Sequence, residues 1–261
     1  MVSSKVYQAD CVAKMKKLPA ESFDFVFADP PYHLSNGGFS VKSGKQVSVH
    51  KGDWDKSAGL DEDLKFHLEW IQQAQRLLKP NGTIMISGTY HSIYRCGVAL
   101  EKLGFRLLNE IVWFKPNAAP NLAGRNFAAA HETIIWASKS RTSKHIFNYK
   151  LMKDYEVPTD SLKNPGKQMR DVWVIPCTPK REKALGGHPT QKPLALLERI
   201  ISAVTLPGDK VLDPFSGSGT TGVAAKSLGR SFVGIELNDE YVALSQARIK
   251  ATRGPNASQG R

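Results

Sequence analysis

Two short blocks in this chain carry residue types that can do chemistry. The first, Asp29-Pro30-Pro31-Tyr32, ends the apolar run Phe23 to Ala28. A strand that stops at a carboxylate, two prolines and an aromatic ring presents all three at the carboxyl edge of a sheet, where open α/β folds bind ligands. Pro30 and Pro31 cannot continue a ladder or enter a helix interior, so the chain there is rigid and extended. A plain Asp-Pro turn after a strand is the alternative.

The second block is Gly217-x-Gly219-x-x-Gly222, set between a strand and a helix, with Asp213 just before it and Glu236 fourteen residues beyond it. The glycines let backbone approach a ligand closely. A carboxylate ending the next strand can hold both ribose hydroxyls. The spacing satisfies the dinucleotide fingerprint in letter, which keeps an NAD(P)-dependent oxidoreductase open. No Lys-Ser or Lys-Thr follows, so a nucleoside triphosphate loop is not indicated. Asp213 at the mouth of the turn repels a diphosphate but suits a cation or an amino group. S-adenosylmethionine has both and no phosphate, and this chemistry favours it.

Seven apolar or β-branched runs read as strands that would position these blocks: Val6 to Gln8, Phe23 to Ala28, Thr83 to Ser87, Leu107 to Phe114, Thr133 to Ala137, Lys210 to Leu212 and Ser231 to Ile235. Helical spacing runs through Leu64, Leu68, Ile71, Gln75 and Leu78, and Lys79-Pro80-Asn81-Gly82 stops it. Ile93, Leu100 and Leu103 mark another helix, closed by Gly104, and Leu194, Leu197, Ile201 and Val204 a third. A short helix ends at Leu228 and a last one starts at Asp239. Residues 33 to 60 show no apolar period, contain Gly37-Gly38 as a hinge and end in Gly52-Asp53-Trp54-Asp55. A loop of that length is usually functional or mobile. The connection Lys115 to His131 is also long and holds Asn117, Asn121, Arg125 and Asn126.

At 261 residues the chain is long enough for one large α/β domain with an inserted lobe. Its 41% hydrophobic and 23% charged residues are those of a soluble globular protein. No apolar run approaches the ~20 residues that cross a bilayer, and Met1 to Lys5 lack a signal pattern, so the expected location is cytoplasmic, with no membrane partner. Cys11, Cys96 and Cys177 have no metal-ligand spacing, so neither a disulfide framework nor a metal site is expected. The net charge of +12 is unevenly placed: residues 138 to 192 hold 12 Lys/Arg against 5 Asp/Glu. Such a concentration fits a phosphate-backbone partner, the alternative being a generally basic surface. The same stretch loses periodicity and is interrupted by Pro158, Pro165, Pro176 and Pro179. The tail from Arg253 reads as disordered. Its Asn256-Ala257-Ser258 matches a glycosylation acceptor, without any sign of secretion.

Taken together, Asp29-Pro30-Pro31-Tyr32 and Asp213-Pro214-Phe215-x-Gly217-x-Gly219 resemble the amino-methylating DNA methyltransferases, in the block order of their β class. The similarity extends over nearly the whole chain to the second adenine methyltransferases of DpnII-type restriction–modification systems. It is carried by Leu34-Ser35-Asn36-Gly37-Gly38, Lys51 to Lys56, Ala119-Pro120-Asn121-Leu122, Lys167-Gln168-Met169 and His188-Pro189-Thr190-Gln191-Lys192-Pro193. The resemblance implies a Rossmann-like, seven-stranded, mostly parallel sheet in circularly permuted order. Residues 1–137 would form its catalytic part, 138–187 a basic, loop-rich target-recognition lobe, 188–252 the cofactor-binding part and 253–261 a tail.

The resemblance also implies roles. Asp213, Phe215, Ser216, Gly217, Ser218, Gly219 and Thr220 would form the methionine side of an S-adenosylmethionine pocket, with Thr190 and Lys192 near the methionine carboxylate. Glu236, beside Asn238, would hold the ribose. Asp10 and the Cys11 backbone would read the adenine edge. Asp29, also part of the cofactor wall, and Pro30 would accept N–H bonds from the target amine, and Pro31 and Tyr32 would complete that site, the ring stacking on an extruded base. The implied reaction is adenine-N6 methylation of DNA within GATC, in double strands, with single strands as a further substrate. Cytosine-N4 methylation is the nearest alternative, although Ser more often precedes Pro-Pro-Tyr there. The β class often forms dimers. Pro176-Cys177 matches the nucleophile dipeptide of cytosine carbon-5 methyltransferases but lacks that family's surroundings.

Overall fold

The structure, a computed structural model, describes residues 2–32, 39–42, 45–48, 57–121, 124–156, 160–161 and 163–255. Gly37-Gly38, Gly52 to Asp55, Leu122, Pro158 and Asn256 to Ser258 lie outside the described residues. In chain order the elements are β1 (Ser4–Gln8), α1 (Cys11–Lys16), β2 (Phe23–Ala28), β3 (Phe39–Lys42), β4 (Lys45–Ser48), α2 (Leu60–Leu77), β5 (Leu78–Gly88) and α3 (Ile93–Lys102). They continue with β6 (Arg106–Phe114), β7 (His131–Ser138), α4 (Tyr149–Asp154), β8 (Val172–Val174), α5 (Leu194–Val204), β9 (Lys210–Asp213), α6 (Thr220–Ser227), β10 (Ser231–Glu236) and α7 (Asp239–Ala251).

The main sheet has the order β1-β10-β9-β2-β5-β7-β6-β8. Every pairing is parallel except those of β7 with β5 and β6. Residues alternate faces along each strand, and both faces are apolar. Phe25 and Phe27 point into a core built with α5, α6 and α7, while Val26 and Ala28 point into one built with α1, α2 and α3. This burial on both faces explains why β2 reads as an unbroken apolar run.

All seven expected strands are present, and three local expectations are corrected. An eighth strand, β8, extends the sheet at β6 from within the basic stretch, which also contains α4. Residues 33 to 60 are not one structureless loop, because β3 and β4 pair antiparallel and α2 begins at Leu60. Lys79-Pro80-Asn81-Gly82 does follow the helix, but it is bulged out within β5, whose pairing jumps from Phe23↔Leu78 to Phe25↔Thr83. A Cβ on Gly82 would lie 3.0 Å from the Asp24 carbonyl oxygen and 3.1 Å from that of Lys79, so any larger residue would crowd the bulge. Among the described residues no helix is long and apolar enough to cross a membrane.

Two topological facts position the chemistry. β2 lies beside β9, so Asp29 and Asp213 emerge from neighbouring strands at the same edge. β7 runs opposite to its neighbours, so its first residues, His131 and Glu132, enter where the other strands leave.

Candidate active site

The carboxyl edge opens into a cavity of about 560 Å³. Of the expected site residues, Asp10, Cys11, Asp29, Pro30, Pro31, Tyr32, Thr190, Lys192, Asp213, Phe215, Ser216, Gly217, Ser218, Thr220, Glu236 and Asn238 all line it. Gly219 does not. It is the N-cap of α6 at φ +75°, and a Cβ there would fall 2.1 Å from Ser245 Oγ. Its place is behind the turn, where α7 presses on it. Gly222 does the same one turn later, 2.4 Å from Ile249 Cδ1 and 2.6 Å from Phe232 Cε1 by the same construction.

On the glycine side, carboxylates are satisfied by neutral donors. Asp213 Oδ1 accepts from the Phe215 N–H at 2.9 Å and Oδ2 from the Thr221 hydroxyl at 2.6 Å. Burial pushes its carboxyl up to about 7, against those two bonds. Glu236 accepts from the Gly217 N–H at 2.8 Å and the Asn238 N–H at 2.9 Å, tying the turn to the end of β10. Arg248 of α7, absent from the sequence expectations, donates to Ser218 O at 2.6 Å and Thr220 Oγ1 at 3.0 Å and so fixes the turn from behind. The His188 ring lies 3.5 Å from where a Gly217 Cβ would sit and packs edge-on against Tyr241.

Asp10 caps α1 by accepting the Ala13 N–H at 2.8 Å. Burial first, and Asp10 second, push the Cys11 thiol up to about 12, so it is neutral and unreactive. Cys177 lies outside the cavity lining, its N–H on Asn117 Oδ1 at 2.9 Å.

On the β2 side the partners are charged. Tyr32 is buried, and its single hydroxyl proton lies between two acceptors, Asp29 Oδ1 at 2.5 Å and Glu132 Oε2 at 2.9 Å. Lys192 Nζ lies 2.5 Å from Asp29 Oδ2, 3.0 Å from Tyr32 Oη and 3.4 Å from Glu132 Oε2. Expected beside a cofactor carboxylate, the Lys192 ammonium thus sits on Asp29. Glu132 also takes Lys115 Nζ at 3.0 Å and the Ser87 hydroxyl at 3.2 Å. Burial would raise the Glu132 carboxyl, but Lys192 and Lys115 outweigh it and hold it at about 2. Burial raises Asp29 above the ordinary carboxylate range despite Lys192, and it raises the Tyr32 hydroxyl, with Asp29 adding to the effect. Glu132 and Lys115 were missed by the sequence reading. The available signal was a lone carboxylate at the mouth of the apolar run Thr133 to Ala137.

Among the described residues, the lining carries the carboxylates of Asp10, Asp29, Asp213, Glu236 and Asp239 against the single ammonium of Lys192. Such a field disfavours a diphosphate and so weighs against a dinucleotide. It fits a ligand with a sulfonium, an α-amino group and ribose hydroxyls, beside the apolar Phe215, Ile235 and Leu237. Fold and site together therefore define an S-adenosylmethionine-dependent methyltransferase.

Residues 23–247 match the model of the DNA methylase family, the N6/N4 methyltransferases, and the chain belongs to that family. The type II methyltransferase M2.DpnII of Streptococcus pneumoniae is 51% identical over 249 residues, spanning 95% of this chain and 90% of that protein. M2.LlaDCHI of Lactococcus lactis subsp. cremoris is 52% identical over 242 residues, 92% of this chain and 87% of the relative. Among solved structures, the M1.HpyAVI–SAM complex superposes with a TM-score of 0.67 at 32% identity, covering 94% of this chain and 98% of that one. The PvuII cytosine-N4-specific methyltransferase shares the fold, at TM-score 0.71 and 22% identity over 95% and 86% of the two chains.

Proposed function

We propose that this enzyme methylates the N6 amino group of adenine in DNA, within GATC, on a base rotated out of the duplex. The observation that carries the reading is that Asp29 and Asp213 end adjacent strands and line one cavity, so an amine acceptor faces a pocket suited to a cationic methyl donor. Aspartate before Pro-Pro-Tyr favours adenine over cytosine. The GATC context rests on the likeness to DpnII-type enzymes, whose type II names also support a place in a restriction–modification system.

An adenine amino nitrogen is a poor nucleophile because its lone pair is delocalised into the ring. The Asp29 carboxylate and the Pro30 carbonyl accept its two N–H bonds, which favours a pyramidal nitrogen with the lone pair directed at the methyl carbon. Preorganised groups of this kind typically contribute a few kcal/mol each. When bound, S-adenosylmethionine supplies the methyl on a cationic sulfur that departs with the bonding pair as a neutral thioether. The nitrogen gains the methyl and gives up one proton, for which Asp29, raised by burial, is the nearest acceptor. Asp213, Glu236 and the turn from Phe215 to Thr220 hold and orient the donor, Thr190 flanks it, and Asp10 with the Cys11 backbone meets its adenine.

Numbered from β9, the main strands run 3-2-1-4-5-7-6 across the sheet, the doubly wound order with one antiparallel strand inserted. This supports a circularly permuted chain in which 1–137 and 188–252 build the seven main strands and 138–187, which adds β8 at the sheet edge, forms the recognition lobe. Exposed Arg141, Lys144, Lys150, Lys153, Lys167 and Arg170 in that lobe suit phosphate contacts.

The test is to incubate the protein with labelled S-adenosylmethionine and unmethylated DNA, duplex and single-stranded, and to map the modified base. N6-methyladenine in GATC is expected. N4-methylcytosine would overturn the adenine assignment, and label in no DNA would overturn the whole reading.

A further inference from the structure

Both oxygens of Asp29 are already engaged, Oδ1 by the Tyr32 hydroxyl and Oδ2 by the Lys192 ammonium. The proposed reaction requires a second amine, that of the target base, to donate to this same carboxylate. Each oxygen keeps a second lone pair, but the incoming amine must compete at Oδ2 with the Lys192 ammonium, 2.5 Å away. Lys192 cannot simply withdraw. Its side chain is 6% exposed, and a buried ammonium stripped of its carboxylate is strongly unfavourable. Its second carboxylate partner is Glu132, with Oε2 3.4 Å away, longer than an ordinary charge-assisted bond. Glu132 is itself anchored from three directions, by Lys115, Ser87 and Tyr32.

We infer that Glu132 is a positioning residue that receives Lys192. As the target amine docks on Asp29, the ammonium moves well under an ångström toward Glu132 Oε2, and Asp29 Oδ2 is released to the substrate. This inference rests on the reading of Asp29 as the amine acceptor. Glu132 is ionised across the working range, so the receiving charge is always present. After the shift Glu132 is shared by Lys115 and Lys192, and the Asp29 charge is met by the target amine and the Tyr32 hydroxyl. Until substrate arrives, Lys192 holds the Asp29 carboxylate in the place and orientation where the amine will bind.

Glu132→Gln keeps the volume and removes the receiving charge. It is expected to lower kcat for DNA methylation by about ten- to a hundredfold, the scale of coupling within one ion-pair network, with the S-adenosylmethionine Kd from calorimetry little changed. The decisive arm is Glu132→Gln with Lys192→Gln. Without the ammonium no receiving carboxylate is required, so the double variant should recover at least about tenfold over Glu132→Gln alone. A merely structural Glu132 would give no such rescue. Wild-type kcat in Glu132→Gln, or no recovery in the double variant, overturns the proposal. Should Glu132→Gln fail to fold, Lys115→Met loosens the same carboxylate from a partly exposed position. It should show a smaller loss, again relieved by Lys192→Gln, and absence of that relief counts equally against the proposal. Asp29→Ala in the same assay separates the two readings. Its inactivity together with no rescue removes the Lys192 shift alone, whereas its full turnover removes the role of Asp29 and this inference with it.

Discussion

The two halves of the cavity satisfy their carboxylates in opposite ways. Around the glycine turn, Asp213 and Glu236 are met by backbone N–H groups and a hydroxyl from residues close in sequence or on the next strand. At the end of β2, Asp29 and Glu132 are met by Lys192 and Lys115, drawn from four separate parts of the chain. Neutral donors fix geometry while leaving the anions uncompensated, which suits a cationic ligand that stays put. Ion pairs keep charge balanced and allow a proton or an ammonium to move, which suits a place where bonds change. Under the proposed function, one half is a binding surface and the other a working one.

The comparison is broken most severely by Asp29→Ala. DNA methylation should fall by about 10²–10³-fold or more, as for loss of a preorganised electrostatic group, while the calorimetric Kd for S-adenosylmethionine shifts only a few-fold. A comparable loss of cofactor binding would show that the halves do not work separately.

Asp213→Asn tests the other half through pH. With the wild-type carboxyl at about 7, a cationic ligand must displace its proton at lower pH. Affinity for S-adenosylmethionine should therefore rise with pH up to about 7 and then level off, and Asp213→Asn should flatten that profile and weaken binding by about tenfold at pH 8. The stability effect has the opposite sign. A carboxyl raised above its unfolded value of about 3.9 costs the ligand-free fold stability as pH climbs from about 4 through 7. Melting curves of Asp213→Asn should lack that decline.

Gly219→Ala sharpens the contrast at lower energy. The Cβ would strike Ser245 and the residue would hold φ +75°, so urea unfolding should show a loss of about 1–3 kcal/mol. Cofactor affinity should fall with the turn's order, and kcat at saturating cofactor should fall less. Smallest of all, Cys177→Ala lies outside both halves and should leave kcat within about twofold, as for most substitutions away from a site. A large loss there would reopen nucleophilic catalysis by that thiol.

The neutral half was legible in the sequence because its bonds are local. Asp213 to Phe215 and Thr221, and Gly217 to Glu236, follow from one strand–turn–helix–strand unit whose spacing is visible. The charged half was legible only as Asp29 to Tyr32. Glu132 sits at the mouth of β7, and its closeness to Asp29 depends on β7 running against its neighbours, which hydrophobic periodicity does not reveal. Lys192 was noticed for its motif, but its contact spans 163 positions. Strand β8 and helix α4 escaped for another reason. Three and six residues cannot display a period, and β8 exists because β6 offers it an edge. The pause at Lys79 to Gly82 was read correctly as an interruption, but the sheet absorbs it as a bulge.

The strand order also constrains how the chain is made. β1 and β2 leave the ribosome well before β9 and β10, yet two positions separate them in the finished sheet, and β9 and β10 fill those positions from beyond residue 209. For most of synthesis the two strands have no common neighbour, and Asp29 has no cofactor wall beside it. Closure waits for contacts about two hundred residues apart, a slow, non-local step that leaves apolar strand edges uncovered meanwhile. A growing chain therefore does not have both walls of the cavity until β9 and β10 have been translated.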